Sequence, residues 1–401
     1  MIGPLRAAGC WCMSLCWLHG VDEVMPEVAR IAEIYVHPGA NFRYRNDTVR
    51  ILGKAILTTS AQRHWDEELG TYNELTASLI GSVETRWAPV PDQRLTLDAV
   101  GGISTSSYDG TGDPVGGLRG EWLATMPTIS NRIEAAVAID QVDLVQIGKP
   151  YRRADIVVLD HVTWEGPAAT ISVMPQVLQQ RMQEDTPYHS GAEADLRGAA
   201  LIANYLRTLG TRQTWDFRAE GRIIERLHPG RYQDGAVARL TATVALQPSE
   251  LTTIDAGLGL AYWRFSDNFQ GDPAWDDATV LEPEFHLAVG WDYREGSTLE
   301  LQLRRYTDLG LGANVATMTQ IMPSWTHRFP ERWRLQVQIA HLHVDLHDQE
   351  ERTEWAVQTK LDFHLDHGGI LRWYLVGTES DSRIAPDFWR IGTSLQALLV
   401  F

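Results

Sequence analysis

The sequence predicts an all-β fold, a transmembrane up-and-down barrel of about 16–18 antiparallel strands, and three observations support it. Apolar and polar side chains alternate with a period of two along most of the chain from residue 48 onward. No apolar run approaches the roughly 20 residues that a membrane-spanning helix requires. The connections between the alternating segments switch between short turns and longer acidic loops. A chain of this kind can cross a membrane only as strands, with apolar faces towards lipid and polar faces towards water.

The N-terminal residues do not join the alternating series. Residues 1–20 combine Arg6 with an apolar centre of leader length, which predicts a cleaved signal peptide. Residues 21–46 are expected to form a periplasmic or lumenal segment. Residues 47–401 are expected to form the barrel.

Cysteine usage agrees with export. Cys10, Cys12 and Cys16 are the three cysteines of the chain, and all lie in the predicted signal peptide. The mature protein would therefore contain no thiol. This suits an oxidising compartment and excludes cysteine catalysis and thiolate metal sites.

Strand-like segments recur regularly, and most are as long as the 9–11 residues of a tilted transmembrane strand. They cover 48–61, 73–87, 93–107, 116–127, 132–146, 154–164, 168–178, 196–209, 213–226, 236–248, 251–265, 280–293, 297–308, 314–328, 332–346, 352–365, 369–379 and 387–401. The segment near 192–209 could instead be helical, because it is rich in Ala and Leu, and the strand number would then fall to about 16.

The two kinds of connection predict the direction of each strand. Short connections rich in turn-forming residues occur at 89–92, 165–167, 210–212, 248–250, 294–297, 330–331 and 366–369. Longer, more acidic connections occur at 61–72, 107–116, 178–195, 227–235 and 266–279. Bacterial barrels have short periplasmic turns and long external loops, so the short set is expected in the periplasm.

Tryptophan positions support the same map. Several tryptophans fall at the predicted periplasmic ends of strands: Trp87, Trp164, Trp215, Trp291, Trp325 and Trp333. Others fall at the opposite ends: Trp263, Trp355 and Trp389. Tryptophan prefers the level of the lipid headgroups, so two aromatic girdles are expected.

The last fifteen residues carry a resemblance to a known class of protein. One face of 387–401 is mainly apolar and ends in Leu399 and Phe401, whereas Arg390 lies on the other face. This segment resembles the closing strand of Gram-negative outer-membrane β-barrels, whose last residue is commonly Phe. The resemblance implies an outer-membrane location and insertion by the barrel-assembly machinery, with Leu399 and Phe401 as the assembly signal.

The charge balance excludes one class of partner and indicates another. The formal net charge is -17, and nucleic-acid binding requires a basic surface instead. Outer-membrane lipid is an expected partner, as is lipopolysaccharide, which acidic loops could contact through bridging divalent cations. Nothing in the sequence indicates an oligomeric state.

The polar strand faces predict a lumen wall on which both signs of charge alternate. The candidate lumen-lining residues are Asp216, Arg218, Glu220, Arg222, Arg239, Glu282, Glu284, His286, Arg304, Arg334, Lys360, Asp362 and Arg390. A barrel of 16–18 strands is wide enough to hold water, so such a wall suits passage of polar solutes. The loop 178–195 is the longest and is the candidate for folding into the lumen.

Three functions are compatible with this barrel. The first is a passive channel for small polar solutes, and the second is an exit pore for an exopolysaccharide. A barrel enzyme or surface scaffold with an occluded lumen is the third. No catalytic motif is present, so the chain is expected not to be an enzyme and to need no cofactor.

A weak metal candidate lies on one strand. His341, His343, Asp345 and His347 occupy every second position and could bind Zn²⁺ or Cu²⁺ if they shared one face. The apolar pattern changes phase near residues 339–340, where a β-bulge would keep the histidines inside the barrel.

Overall fold

The computed structural model describes residues 43–45, 49–66, 70–106, 112–143, 150–182, 195–228, 232–266, 279–309, 315–330, 332–345, 351–365, 370–382 and 388–398. These residues form one short strand followed by long strands that all belong to a single sheet. No helix in this part of the chain is long and apolar enough to span a membrane.

The strands follow the predicted order closely. Their bounds are β1 Arg43–Arg45, β2 Val49–Asp66, β3 Gly70–Val90, β4 Gln93–Ser106, β5 Gly112–Thr125, β6 Ile129–Asp143, β7 Pro150–Glu165, β8 Ala169–Met182, β9 Leu196–Leu209, β10 Gln213–Arg226, β11 Gly235–Ser249, β12 Thr252–Phe265, β13 Thr279–Arg294, β14 Ser297–Leu309, β15 Val315–Arg328, β16 Trp333–Asp345, β17 Glu351–His364, β18 Ile370–Ser382 and β19 Phe388–Leu398.

The long strands β2–β19 close into a barrel. Each pairs antiparallel with the next, and β19 pairs with β2 from Phe388 opposite Asp66 to Thr393 opposite Ala61. Closure satisfies the backbone hydrogen bonds that an open sheet edge would leave exposed to lipid. The prediction of an up-and-down barrel is confirmed, and the larger of the two strand numbers is correct because residues 196–209 form β9 rather than a helix.

The N-terminal segment contributes a single element to the described structure. Arg43 to Arg45 form β1, which pairs with Leu52 to Arg50 of β2. The predicted signal peptide and the rest of the 21–46 segment lie outside the described residues, as do Leu399 and Phe401.

Short turns join the strands at one end of the barrel, which we call the periplasmic end, and longer connections join them at the other, the outer end. Gly210 and Gly296 have φ values of 70° and 71° in two of the short turns, a backbone region that glycine enters without steric cost. Arg332 has a φ of 72° in a third turn.

The two faces of the barrel wall differ as the period-two pattern predicts. Large apolar side chains point outward and are exposed, and Leu258 of β12 is the extreme case at 73%. Charged side chains occupy the inward positions of the same strands. At the periplasmic end, Trp87, Trp164 and Trp291 are exposed outward, as expected of an interfacial girdle.

The lipid-facing position of Leu258 gives a test of the wall. Leu258→Arg places a charge near the middle of the apolar band and should lower the free energy of unfolding by about 2–4 kcal/mol. Urea titration of protein refolded in vesicles, followed by tryptophan fluorescence, measures this change. The matched control is Ser324→Arg, an inward position on β15, which should cost less than about 1 kcal/mol. Equal costs at the two positions would contradict the assignment of faces.

Candidate functional site

The inward face of β10–β13 carries a network of ion pairs. Glu220 of β10 is 4% exposed and receives the guanidinium groups of Arg218 at 3.2 Å and Arg222 at 3.5 Å. Arg239 of β11 bridges Glu220 at 3.4 Å and Glu284 of β13 at 3.0 Å. The alternation of sign along β10 thus produces pairs both along and across the strands.

Similar pairs line the wall on β4–β6. Arg119 of β5 contacts Glu121 at 3.2 Å and Glu134 of β6 at 2.8 Å, and Arg94 of β4 contacts Glu121 at 3.4 Å. These residues occupy the polar faces of well-predicted strands.

The other predicted lumen residues fall on the inward face wherever the side chain is described. His286 lies 2.7 Å from Asp255 of β12, and Asp362 receives two bonds from Arg372 of β18, at 2.6 and 3.0 Å. The remaining inward side chains are Asp216, Glu282, Arg304, Arg334 and Lys360. Arg390 lies on β19, and its side chain is outside the described structure.

At its outer end the β14–β15 hairpin separates from β13 and folds into the interior, while β15 stays paired with β16 as far as Thr317 opposite Asp345. Pairing between β13 and β14 stops at Phe285 opposite Arg305, although β13 extends outward to Thr279. Pairing between β14 and β15 continues to Leu309 opposite Val315. The hairpin therefore stays intact while it separates from β13.

The backbone of Thr307 marks the separation. Its N–H donates to the Glu284 carboxylate at 3.0 Å, and its carbonyl accepts from the Arg239 guanidinium. Its hydroxyl accepts a bond from the indole N–H of Trp263 at 3.0 Å. Side chains of the wall thus satisfy polar backbone groups that the neighbouring strand no longer reaches.

An ion pair adds a further contact between the hairpin and the wall. Asp308 lies 3.6 Å from Arg222 of β10, four strands away. In addition, Arg305 bonds Glu282 of β13 at 2.7 Å, at the position where β14 separates from β13.

Both faces of the hairpin are covered by apolar side chains. Leu309 and Val315 join a cluster formed with β8–β13, which comprises Leu178, Leu196, Ile224, Val237, Ala261, Trp263, Phe265 and Val280. Ala316 and Met318 join a second cluster formed with β16–β18, which comprises Ala340, Leu342, Val344, Ala356 and Val376. Since β9 and β18 lie half-way round the barrel from each other, the hairpin crosses the interior and fills its outer part on this side.

The hairpin contacts given above reach from β8, through Leu178, to β18. The ion pairs of Arg119 lie on β4–β6, on the other arc of the wall. Between the two, the inward side chains of Val157, Leu159 and Met174 on β7 and β8 are also buried. We call the space in front of β3–β6 the passage.

The bulge expected near residues 339–340, which would keep the weak metal candidate inside the barrel, does not occur. The pairing of β16 with β17 continues without a bulge from Trp333 to Asp345, so His341, His343 and Asp345 point outward. His341 packs on Trp355, an exposed outward side chain, at 4.3 Å between ring centroids. His347 lies outside the described residues. Within the described structure, no group of three or more His, Cys, Asp or Glu side chains could hold a metal ion.

The change of phase on β16 has a different cause. Leu342 and Val344 point inward and are fully buried because the hairpin covers them. The prediction that Trp263 belongs to an outer aromatic girdle is wrong for the same reason. Trp263 is 0% exposed and points into the barrel against the hairpin.

The predicted inward loop is only partly described. Residues 183–194 of the 178–195 connection lie outside the described structure, whereas the β14–β15 hairpin, for which the sequence predicts no such role, enters the interior. A signal was present in the sequence: Val315-Ala316-Thr317-Met318 does not alternate in the way that a strand between water and lipid must.

Comparisons with known proteins agree with this architecture. OccAB1 of Acinetobacter baumannii matches with a TM-score of 0.51 and 12% identity, covering 90% of this chain and 99% of that one. OccK11 (OpdR) of Pseudomonas aeruginosa matches with a TM-score of 0.50 and 12% identity, covering 92% and 100%. OpdL of the same species matches with a TM-score of 0.50 and 10% identity, covering 88% and 99%.

The fold is that of Gram-negative outer-membrane porins. No protein-family model matches the chain, and no curated protein matches it by sequence. The likeness to the solved structures is therefore a likeness of fold.

The seating of the hairpin can be tested by thiol labelling, because the natural cysteines lie at positions 10, 12 and 16. The thiol introduced by Leu342→Cys should resist a water-soluble maleimide, since Met318 and its neighbours cover this position. Adding Met318→Ala removes about 2–5 kcal/mol of packing and should increase the labelling rate at least tenfold. Mass spectrometry of the labelled protein measures the rate.

The control for labelling is Ser324→Cys, which faces the interior nearer the periplasmic end. It should react quickly whether or not Met318 is changed. If the thiol from Leu342→Cys reacts as fast as this control in the otherwise unchanged protein, the hairpin is not seated in the barrel.

Proposed function

We propose that the protein is an outer-membrane channel through which small polar solutes diffuse passively. The observation that carries this proposal is a closed barrel with an apolar outer face and an inner face lined by ion pairs. Barrels of 16–18 strands enclose enough space for an aqueous channel. The likeness of fold to outer-membrane porins supports the proposal.

The hairpin limits the size of the solute. It fills the outer part of the interior between β8 and β18 with apolar contacts, so a solute would use the passage along β3–β6. A passage confined to part of the cross-section favours small molecules.

The charged lining favours polar solutes. Groups such as Arg119, Glu121 and Glu134 can replace part of the hydration shell of a solute, and each does so weakly because it is already paired. Weak, repeated contacts let a solute enter and leave, as passive transport requires. The proposal gives the lumen-lining residues predicted from the sequence the same role, which is to make weak contacts with a polar solute.

The exopolysaccharide exit pore is less well supported. A chain-like glycan needs a continuous wide path, whereas the seated hairpin narrows the outer end. A barrel enzyme or surface scaffold with an occluded lumen is the alternative from another class, and the lack of a catalytic motif in the sequence disfavours the enzyme.

The environment follows from the same proposal. The exposed apolar band suits contact with outer-membrane lipid, and the acidic chain suits lipopolysaccharide through divalent cations. Assembly by the barrel-assembly machinery, directed by Leu399 and Phe401, is also part of the proposal.

Planar-bilayer recording tests the proposed function. Detergent-refolded protein should give discrete, steady conductance steps in a salt solution, because water and ions fill the passage. Bilayers that stay silent at protein concentrations that give clear insertion would contradict a channel and favour an occluded scaffold.

Loosening the hairpin should enlarge the channel. Trp263→Ala combined with Asp308→Ala removes two wall contacts, and single-channel conductance should rise about twofold as the hairpin moves aside. Arg197→Ala is the matched control, because it breaks an ion pair with Glu225 at the outer end without touching the hairpin. Leu342→Cys can be added to the double variant to report that the hairpin has moved, because its thiol should then be labelled. Unchanged conductance despite that labelling would contradict the assignment of the hairpin as the constriction.

A further inference from the structure

Outward aromatic side chains form a hydrogen-bonded group at the periplasmic end of β13 and β15. Trp291 and Tyr293 come from β13, and Trp325, His327 and Phe329 come from β15 and the turn after it. The imidazole of His327 stacks against Tyr293 and Trp325, with ring centroids 6.0 and 5.7 Å apart. Phe329 meets the same imidazole edge-on at 4.6 Å. We call these five residues the aromatic platform.

A β-bulge aims Tyr293 across the neighbouring strand. The pairing of β13 with β14 shifts between Asp292 and Arg294, so Tyr293 is the extra residue. Ser297 of β14 lies between Tyr293 and β15, and its small side chain is fully buried. The phenol can therefore pass over β14 to reach His327. Because bulges re-aim single side chains, this contact is a built feature of the β13–β14 turn.

Hydrogen bonds fix the orientation of the imidazole. The indole N–H of Trp325 donates to the Tyr293 hydroxyl at 2.8 Å, and that hydroxyl lies 2.7 Å from Nδ1 of His327. The phenol has one proton, and its other nearby acceptor, the carbonyl of Thr326, is farther away at 3.3 Å. The proton therefore goes to Nδ1, and the hydrogen of the neutral ring is on Nε2. Among the described residues no group bonds Nε2, so the platform offers one N–H donor held in a fixed direction.

The platform faces lipid at the level of the headgroups. Trp291 and Phe329, at its two edges, are 49% and 38% exposed. Towards the middle of the membrane, the outward face continues with exposed Leu299, Leu301 and Ile321, which suit acyl chains. A molecule bound here would have apolar chains along β14 and β15 and a polar group beside the imidazole.

Two arginines add positive charge at the same rim. Arg294 and Arg328 are both exposed, and neither is in an ion pair within the described structure. The stem of Arg328 lies against the β13–β14 turn, since a Cβ at Gly296 would be 2.9 Å from its Cδ. Of the nearby carboxylates, Asp292 is on the inward face and Glu295 is in the turn. Guanidinium groups beside an N–H donor suit a phosphate group.

We propose that the aromatic platform is a binding site for one glycerophospholipid of the periplasmic leaflet. The phosphodiester accepts the hydrogen bond from Nε2 of His327 and lies near the exposed arginines, while the acyl chains lie along the outward face of β14 and β15. The fixed donor distinguishes this site from a tryptophan girdle, which any lipid can contact. The inference needs the barrel to lie in a membrane and does not depend on what the channel carries.

Native mass spectrometry of the full chain, refolded in detergent, tests the site. Dioleoylphosphatidylethanolamine, dioleoylphosphatidylglycerol and dioleoylglycerol are added separately at equal concentrations. Each phospholipid should bind as one tight copy per barrel, about tenfold tighter than any further copies, because a hydrogen bond to a charged group contributes at this level. Dioleoylglycerol, which has the same chains and no phosphate, should show no tight copy.

Variants separate the donor from the ring that carries it. His327→Phe keeps the stacking and removes the N–H, and should weaken the tight copy about tenfold. His327→Gln keeps an N–H donor and should lose less than about threefold, whereas Tyr293→Phe frees the imidazole and should lose about threefold. Trp87→Phe changes an exposed periplasmic tryptophan elsewhere on the wall and should leave binding unchanged. Circular dichroism checks that each variant keeps its β-sheet.

Three outcomes overturn the inference: dioleoylglycerol binds as tightly as the phospholipids, His327→Phe leaves the tight copy unchanged, or Trp87→Phe weakens it equally. Each reduces the platform to an ordinary part of the girdle. The proposed channel function is untouched by any of them, because conductance is measured separately.

Discussion

The absence of water from the lipid interior is the constraint on which the whole structure depends. Every backbone N–H and C=O at membrane depth needs a protein partner, so the strands must pair on both sides and the sheet must close. Closure fixes one face of each strand towards lipid and the other towards the interior. The same rule governs the exception: where β14 leaves β13, Glu284 and Arg239 bond the backbone of Thr307.

This constraint explains why so much of the fold could be predicted from the sequence. On β13, Pro283 and Phe285 alternate with Glu282 and Glu284, and no other arrangement gives each residue a suitable environment. The turn-forming residues predict where the short connections lie, and Gly210 and Gly296 adopt the positive φ of tight turns there. The segment that became β9 was ambiguous because its inward positions include Ala200 and Ile202, so its two faces differ little in polarity.

The interior could not be predicted as fully, because alternation identifies only which residues point inward and not what fills the space. Trp263 and Leu342 are inward apolar residues that make sense only once the hairpin covers them. The predicted bulge on β16 places the histidines inside, because an apolar inward face is not expected on a strand that lines a wet lumen. The useful signal is an apolar residue on a polar face near the outer end: it indicates an element folded into the barrel.

The central claim is that alternation along the chain reports a wall between lipid and water, interrupted where the hairpin is enclosed. A spin-label scan of β12 and of Val315 to Met318, in bilayers, tests it directly. Along β12, accessibility to oxygen and to a water-soluble nickel chelate should alternate out of phase, with Leu258 open to oxygen. From Val315 to Met318 both should be low at every position. Regular alternation through Met318, or no alternation along β12, would contradict the account.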